Sequence, residues 1–339
     1  MFKSQWLVFI LLLAVDPVYS QIGGTNAFTF LELSTNARQA GLGGVNVALA
    51  EPGINGLFQN PALVDDQLTE HLALNYHRFL GTVDHFSAAY ADQINNLPHF
   101  AVGLQYLDYG SFDSFDASGN PIGEFDAAEF AIVLGTSHQV DHFRVGVNMK
   151  LAVSRIAAYS ASAFLFDVGG VFKHPEINLT AGIVVKNVGF AFQQYSEEGE
   201  LRMPLNVQAG VTFKPEYMPF RFSLNLNHLN RTSLNAYSQR INNGDPDGVD
   251  KVLKHLVFGT ELLLNENMIV CAGYNHLERK ELSMEQITGG AGFSIGLLIK
   301  TKKFSFSYAH AFHHVSGGSN FITLSSDLKT LIRKKELKD

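Results

Sequence analysis

The chain contains many short stretches in which large apolar and polar residues alternate. Residues 220–227 read FRFSLNLN, with Phe220, Phe222, Leu224 and Leu226 separated by polar positions. Side chains on a β-strand point alternately to opposite faces, so this pattern predicts a strand with one apolar and one polar face. The apolar face meets the core in a soluble sheet, whereas in a membrane barrel it meets lipid and the polar face lines the interior.

The same alternation continues from about residue 70 towards the C-terminus, and no amphipathic helix of ordinary length interrupts it. A series of roughly ten-residue segments of this kind predicts an all-β, mainly antiparallel fold with about 14 strands. The candidate strands begin near Glu70, Val83, His99, Phe125, Phe143, Ala161, Asn178, Pro204, Phe220, Lys254, Met268, Ile287, Phe304 and Gly318.

The connections between these segments alternate in length. Every second connection is a tight turn (DQINNL, QVD, HPEI, PEYM, LNEN and KK), and the other set contains most of the long ones. The long connections are predicted at 109–124, 190–203, 230–252 and 278–286. Short periplasmic turns and longer external loops are typical of an outer-membrane barrel. The pattern therefore predicts a transmembrane antiparallel β-barrel in the outer membrane of a Gram-negative bacterium, with periplasmic termini and extracellular long loops.

The two faces of the candidate strands agree with a barrel. The polar face carries Arg144, Lys150 and Arg221, which a dry sandwich core would not accommodate. The apolar face is aromatic or β-branched on nearly every strand, so Phe220 and its alternating neighbours are predicted to face lipid. The alternative is a periplasmic or secreted β protein with a shared inner core.

Four segments are predicted along the chain. Residues 1–20 have the pattern of a cleaved signal peptide, because the basic Lys3 precedes the apolar stretch WLVFILLLAV. Residues 21–66 lack strand periodicity and are predicted to fold into the lumen as a plug, since a barrel of this size would otherwise leak. Residues 67–328 form the predicted barrel. Residues 329–339 form a basic tail, which is either a frayed end or a contact for a periplasmic partner.

Two short helical elements are predicted within the plug. The stretch STNARQAGLGG has a helical pattern that ends at Gly41, a suitable C-terminal cap. In FQNPALV, Pro61 follows Asn60, which is the arrangement of an N-cap and the first helical residue.

Composition and charge narrow the function classes. The chain has 339 residues and a formal net charge of −7, and no long basic run lies in its body, which argues against nucleic-acid binding. It has one cysteine, Cys271, so no intrachain disulfide can form. Only 17% of the residues are charged, below the usual quarter.

The candidate chemistry of the chain is sparse, and no enzyme, metal or cofactor is predicted. His310, His313 and His314 are predicted to lie at the outer end of a strand, near the aqueous boundary. The acidic stretch DSFDASGNPIGEFD lacks the oxygen spacing and central glycine of a calcium loop. The stretch GGAGFSIG has Ile295 where a dinucleotide motif needs glycine, and it is predicted to lie within a strand. No motif for nucleophilic or acid–base catalysis stands out.

Several motifs resemble a known family. GGTNAFTFLELSTNARQAGLGG followed by FQNPAL is similar to the N-terminal region of the PorV/PorQ group, barrels distantly related to the fatty-acid transporter FadL. The stretches NLTAGIVVKNVG, KHLVFGTELL, GYNHLERKEL and FSFSYAHAFHHVSGGSNFITLSSDL resemble PorQ-like proteins over nearly the whole mature chain. Within the shared N-terminal motif, the predicted plug residues are Arg38, Gly43, Gly44, Asn60 and Pro61.

The resemblance implies a role as an outer-membrane anchor of the type IX secretion attachment complex. The implied partners are a PorZ-like surface protein, a PorU-like sortase, a PorV-like barrel, and membrane lipid or lipopolysaccharide. The working surface would be the external loops, with aromatic side chains as anchors. The candidate docking residues are Tyr109, Phe112, Phe115, Asp116, Tyr195 and Tyr237.

Two other functions share the predicted fold. One is a FadL-like transporter of hydrophobic small molecules, and the other is a PorV-like cargo shuttle. A transporter would need an apolar pocket between plug and wall that reaches a lateral opening. A strand kinked by a bulge would mark such an opening, and the sequence does not show one clearly.

Overall fold

The structure, a computed structural model, describes residues 26–79, 81, 83–93, 99–196, 201–231, 234, 248–282, 289–314 and 317–332. The predicted signal peptide at 1–20, the docking residue Tyr237 and residues 333–339 of the basic tail lie outside these ranges. No helix within the ranges has the length and apolar character needed to span a bilayer.

The described residues form a closed antiparallel barrel of 14 strands, in which sequence neighbours pair and β1 closes on β14. The predicted fold class is therefore confirmed. The strands are β1 His71–Arg78, β2 Asp84–Asp92, β3 Phe100–Phe115, β4 Pro121–Val140, β5 Phe143–Ile156, β6 Tyr159–Lys173, β7 Leu179–Gln193, β8 Asn206–Phe213, β9 Phe220–Leu226, β10 Leu256–Asn265, β11 Met268–Asn275, β12 Phe293–Lys300, β13 Phe304–His314 and β14 Gly317–Asp327.

The alternation of side chains around the wall follows the predicted pattern. On β9, Phe222 and Leu224 are exposed on the outside, whereas Arg221, Ser223 and Asn225 are buried inside. The outer face of a single closed sheet has no second sheet against it, so the apolar face is not the core of a sandwich. It is the surface that a barrel presents to lipid.

The twelfth strand begins later than predicted. It starts at Phe293, after the glycine-rich residues 289–292, which form a turn rather than part of a strand. Gly292 has a φ angle of 78°, a backbone conformation that favours glycine. Its N–H donates to the carbonyl of Phe312 at 3.1 Å, so the turn is tied to β13. The prediction that GGAGFSIG lies wholly within a strand is wrong.

The barrel wall is much taller on one side. Strands β3 to β7 have between 14 and 20 residues, whereas β8 and β9 have 8 and 7. We call the end at which β1 begins the near end and the opposite end the far end. The near-end connections are all short, at 93–99, 141–142, 174–178, 214–219, 266–267 and 301–303. The long connections 194–205, 227–255 and 276–292 lie at the far end, as the alternation predicted.

One predicted long loop is in fact a β-hairpin. Strands β3 and β4 continue past the rim to Phe115 and from Pro121, and only the turn 116–120 joins them. The carboxylate of Asp116 accepts from the backbone N–H groups of Ser118 and Asn120 at 2.8 and 2.9 Å, which fixes this turn. We call residues 109–124 the tall hairpin.

Five short helices accompany the strands in the described ranges. They are α1 Ala37–Gly41, α2 Gly56–Gln59, α3 Gly248–Leu253, α4 His276–Leu282 and α5 Leu328–Ile332, with 3-10 turns at Thr29–Glu32, Pro61–Leu63 and Asp66–Leu68. Helix α1 ends at Gly41, and Asn60 caps the turn that starts at Pro61 by accepting from the N–H of Ala62, as the sequence predicted.

The N-terminal segment, residues 26–68, contacts the inward-facing side chains of the barrel wall. Its backbone reaches wall side chains on opposite sides: the N–H of Ala37 donates to Thr323 Oγ1 on β14 at 3.0 Å, and that of Val47 donates to Asn225 Oδ1 on β9 at 3.1 Å. On the tall side, Lys186 Nζ donates to the carbonyl of Phe58 at 3.0 Å. That the segment closes the lumen to ions stays a prediction.

Glycine positions in the wall make room for this segment. A Cβ atom on Gly146 of β5 would lie 2.5 Å from the backbone N of Ala62 and the carbonyl carbon of Pro61. Gly43, within the segment, has a φ angle of 91° and sits against Val257 of β10. The segment therefore meets the wall at backbone-to-backbone distance, which only glycine permits.

A candidate binding cavity at the far end of the barrel

The inner face of the wall changes character towards the far end. On most strands it is polar, but on the tall side it carries buried apolar residues that pack with the start of the N-terminal segment. This apolar cluster comprises Ala27, Phe28, Phe30, Leu31, Leu107, Ala131, Ala152, Ala161, Ala163 and Leu165. The small alanines of the wall let the aromatic rings of the segment pack closely against it.

A cavity of about 540 Å³ opens above this apolar cluster. It falls within the range of small-molecule sites, about 300–1,000 Å³. Most of its wall is apolar or aromatic, and it is formed jointly by the N-terminal segment, the tall hairpin, β5 and the ends of the β7–β8 connection. The lining residues are Asn26, Ala27, Phe28, Thr29, Tyr109, Phe112, Phe125, Ala127, Glu129, Ile156, Tyr195 and Leu201.

One buried carboxylate lies in the cavity wall. Glu129 on β4 is 6% exposed and accepts a hydrogen bond of 2.6 Å from the hydroxyl of Tyr109. It also accepts from the hydroxyl of Ser154, and Ser154 Oγ in turn accepts from the hydroxyl of Tyr195 at 2.5 Å. The carboxylate is thus held by two hydroxyl groups, and the second of these is held by a third, that of Tyr195.

A bulge in β3 explains how Tyr109 reaches this position. The register shifts between Asp108 and Gly110, so Tyr109 is an extra residue opposite β4. Gly110 has a φ angle of 78°, and its N–H donates to Asp108 Oδ1 at 2.9 Å. Bulges re-aim side chains, and this one directs the Tyr109 ring inward next to Glu129.

The predicted docking residues fall into two groups. Tyr109, Phe112 and Tyr195 meet in the cavity wall, and the Phe112 ring stacks on Phe125 with centroids 5.4 Å apart. Phe115 and Asp116 lie at the tip of the tall hairpin instead, and Phe115 is 58% exposed. Sequence reasoning missed Glu129, because a single acidic residue in an apolar strand carries no motif.

A second bulge interrupts the wall between β6 and β7. Asp167 of β6 faces both Lys186 and Asn187 of β7, and Asn187 has a φ angle of 61°. Asp167 forms a buried ion pair with Lys150 at 2.7 Å and accepts from the backbone N–H of Asn187 at 2.9 Å. The sequence signal, two polar residues side by side in the apolar strand GIVVKNVG, is visible only in retrospect.

The seam between β7 and β8 ends at this second bulge. Their pairing stops at Lys186 with Asn206, so β7 beyond that point pairs only with β6 in the described residues. The side chain of Asn187 spans the seam by donating to the carbonyl of Pro204 at 3.1 Å. Tyr195 and Leu201, which line the cavity, belong to the β7–β8 connection. The cavity therefore lies beside a gap in the ladder.

A cluster of buried ion pairs fastens the N-terminal segment near the other end. Arg38 of α1 binds Glu261 of β10 through Nε at 2.7 Å and Nη2 at 3.1 Å. Arg221 of β9 also donates to Glu261 at 3.1 Å, and its second contact is Glu51, which is 62% exposed. A polar cavity of about 400 Å³ lies next to this cluster and is lined by Arg38, Glu51 and Lys300 among others.

Glu278, in a far-end connection, has a raised pKa. Glu278 of α4 accepts from Asn275 Nδ2 at 3.0 Å and lies 3.8 Å from the ring of His313. Burial, together with the neighbouring charge of Glu281, raises the pKa of Glu278 to about 7. His310 Nδ1 lies 2.9 Å from Asn320 Oδ1, within hydrogen-bond distance. Among the described residues, no group of histidine, cysteine and acidic side chains is placed to hold a metal ion.

The fold is similar to that of solved outer-membrane barrels. The toluene transporter TodX of P. putida superposes with a TM-score of 0.56 at 12% sequence identity, over 87% of this chain and 99% of TodX. A FadL homologue of Pseudomonas aeruginosa gives a TM-score of 0.43 at 11% identity, over 86% and 97% of the two chains. No family model and no curated protein matches the sequence. At such low identity the likeness to TodX concerns the fold alone: an outer-membrane β-barrel.

Proposed function

We propose that this chain is an outer-membrane barrel that admits small hydrophobic molecules through the far-end cavity. The observation that carries the proposal is the cavity itself, whose wall is mostly apolar or aromatic and whose charged lining residue, Glu129, is bound by hydroxyl groups. A water-filled porin lumen is polar, whereas an apolar chamber inside a membrane barrel suits an apolar ligand. TodX, of similar fold, is a toluene transporter, which agrees with this ligand class.

The unpaired stretch of the β7–β8 seam supplies a lateral exit on this proposal. A molecule in the cavity lies next to Tyr195 and Leu201, and the ladder behind them is held by side-chain contacts rather than backbone pairs. Opening this stretch would release an apolar ligand sideways into lipid. The start of the N-terminal segment is tied to the same connection, because the N–H of Ala27 donates to the carbonyl of Arg202 at 3.0 Å. The far end then faces the cell exterior, as the short near-end turns favour.

Filling the cavity tests the proposal. Ala127 lines the cavity, while the next residue, Ala128, faces outward on the same strand. Purified protein in lipid nanodiscs should bind ethylbenzene above the level of empty nanodiscs in equilibrium dialysis. Ala127→Trp should abolish this excess binding and Ala128→Trp should preserve it. Equal binding by loaded and empty nanodiscs would refute a hydrophobic-ligand function.

A second candidate function is the surface anchor implied by the family resemblance. The tip of the tall hairpin exposes Phe115 at 58% and Ile122 at 64%, outside the cavity, and exposed apolar residues on a projecting hairpin suit a protein partner. The proposed partners are a PorZ-like protein, with a PorU-like sortase and a PorV-like barrel. Phe115→Ser with Ile122→Ser should then release the soluble partner into the medium while ethylbenzene binding is unchanged. Retention of the partner on the cells would argue against the anchor.

A further inference from the structure

The charged group that lines the far-end cavity is acidic. Glu129 is the charged side chain among the described residues that line it, and the other polar lining residues are Asn26, Thr29, Tyr109 and Tyr195. None of these is a cation. A ligand that carried its own negative charge would therefore find no partner for it in the cavity wall.

The hydroxyl groups are oriented by the carboxylate. A carboxylate only accepts hydrogen bonds, so Tyr109 must donate to Glu129, and Ser154 does the same. Tyr195 donates to Ser154. The protons of these three hydroxyl groups are thereby used, so what this group offers to a ligand beside Glu129 is oxygen lone pairs. The other polar lining residues, Asn26 and Thr29, lie on the N-terminal segment and carry no charge.

We propose that the cavity selects apolar molecules that carry a hydrogen-bond donor and no negative charge, with alkylphenols as the model class, and rejects apolar carboxylates. This selectivity rests on the proposed function. A donor on the ligand would reach the oxygen lone pairs of Glu129 and of its hydroxyl partners. A carboxylate would be buried beside Glu129 without a compensating cation, where like charges repel strongly because water is excluded.

Three probes of similar size and shape test the selectivity. Ethylbenzene has no polar group, 4-ethylphenol adds a donor, and 4-ethylbenzoate adds a negative charge. Equilibrium dialysis against protein-loaded and empty nanodiscs at neutral pH should rank 4-ethylphenol first and 4-ethylbenzoate last. The phenol should bind at least about tenfold more tightly than the benzoate.

Substitution of Glu129 tests whether this carboxylate causes the ligand selectivity. Glu129→Gln removes the charge at nearly constant shape and should narrow the gap between phenol and benzoate by at least about tenfold. Glu216→Gln, which removes an exposed charge at the near end, should leave the ranking unchanged and serves as the matched control. The wild-type ranking stands as a test even where Glu129→Gln does not fold.

The possible outcomes distinguish a failure of the proposed selectivity from a failure of the proposed hydrophobic-ligand function. Binding of ethylbenzene with equal affinity for phenol and benzoate would overturn the selectivity and leave the hydrophobic-ligand function standing. A strong preference that Glu129→Gln leaves unaltered would overturn the role of Glu129. Failure of all three probes to bind above empty nanodiscs would overturn both proposals.

Discussion

The buried cluster around Glu261 yields a quantitative prediction about how the N-terminal segment is held. The Glu261 side chain is 2% exposed and accepts from two guanidinium groups, those of Arg38 in the segment and Arg221 in the wall. Glu261→Gln would leave both cations buried, with only the largely exposed Glu51 nearby. Removing one partner of a buried ion pair typically costs about 3–5 kcal/mol.

Removing the cation of the segment should cost less than removing the shared acid. Arg38→Met leaves Glu261 paired with Arg221, so the charge of the cluster remains balanced. The loss is then two hydrogen bonds to Glu261 and two to the backbone carbonyls of Ala50 and Glu51, and it is reduced by burial of the methionine. We expect Glu261→Gln to lower the free energy of unfolding by about 2 kcal/mol more than Arg38→Met does. The first variant leaves buried charges unpaired, whereas the second only loses hydrogen bonds.

Two measurements report this difference. The temperature at which the folded barrel loses its faster migration in detergent gels follows global stability, and conductance in planar bilayers follows detachment of the segment. A local penalty of about 3–5 kcal/mol raises the population of a detached segment by roughly a hundredfold to a few thousandfold. Glu261→Gln should therefore open channels more often than wild type or Arg38→Met. Closed, fully stable barrels in the Glu261→Gln variant would refute the reasoning.

Three further predictions follow from the described contacts. Gly146→Ala places a Cβ against the backbone of Ala62 and should lower stability by about 1–3 kcal/mol in denaturant titration; Gly170→Ala, whose Cβ would have no neighbour closer than 3.9 Å, should be neutral, and equal losses in the two would contradict the close contact. Deletion of residues 24–66 should convert a closed barrel into a conducting one in planar bilayers, and an unchanged closed barrel would count against a plug. Glu278 keeps its proton up to a pKa of about 7 in the folded protein, whereas the unfolded chain releases it near the ordinary value of 4.5, so its stabilising contribution is full below pH 4.5 and is lost as the pH rises towards 7. Because this side chain is 36% exposed, the loss should be only about 1 kcal/mol, and Glu278→Gln should abolish that part of the pH dependence of the unfolding midpoint.

The barrel was predictable because lipid constrains the outer face on every strand. The alternation at Phe222 and Leu224 recurs around the wall, and a shift by one residue would expose the buried Arg221 to lipid. The strand count and the parity of the connections follow from that regularity. The tall hairpin was mistaken for a loop because its residues are largely exposed on both faces, so no alternation of apolar and polar side chains is enforced there.

The cavity was less predictable, because it depends on local departures from the regular strand. Tyr109 enters it through a bulge, and the inner alanines Ala131 and Ala152 are small enough to suit either face of a wall. Glu129 gains meaning only from the hydroxyls that surround it. Proximity of this kind arises from the register of three strands, β3, β4 and β5, and from the β7–β8 connection, and no short motif encodes it.

The lengths of the strand pairs also determine where the cylinder is mechanically weakest. β8 and β9 are joined only from Ala209 with Leu226 to Phe213 with Phe222, whereas β4 and β5 are joined from Ala127 with Ile156 to Val140 with Phe143. A closed sheet under tension separates most easily between the two strands that share the fewest paired residues. Under tension this barrel therefore unzips first between β8 and β9, next to the strand whose Arg221 helps to hold the inner segment in place.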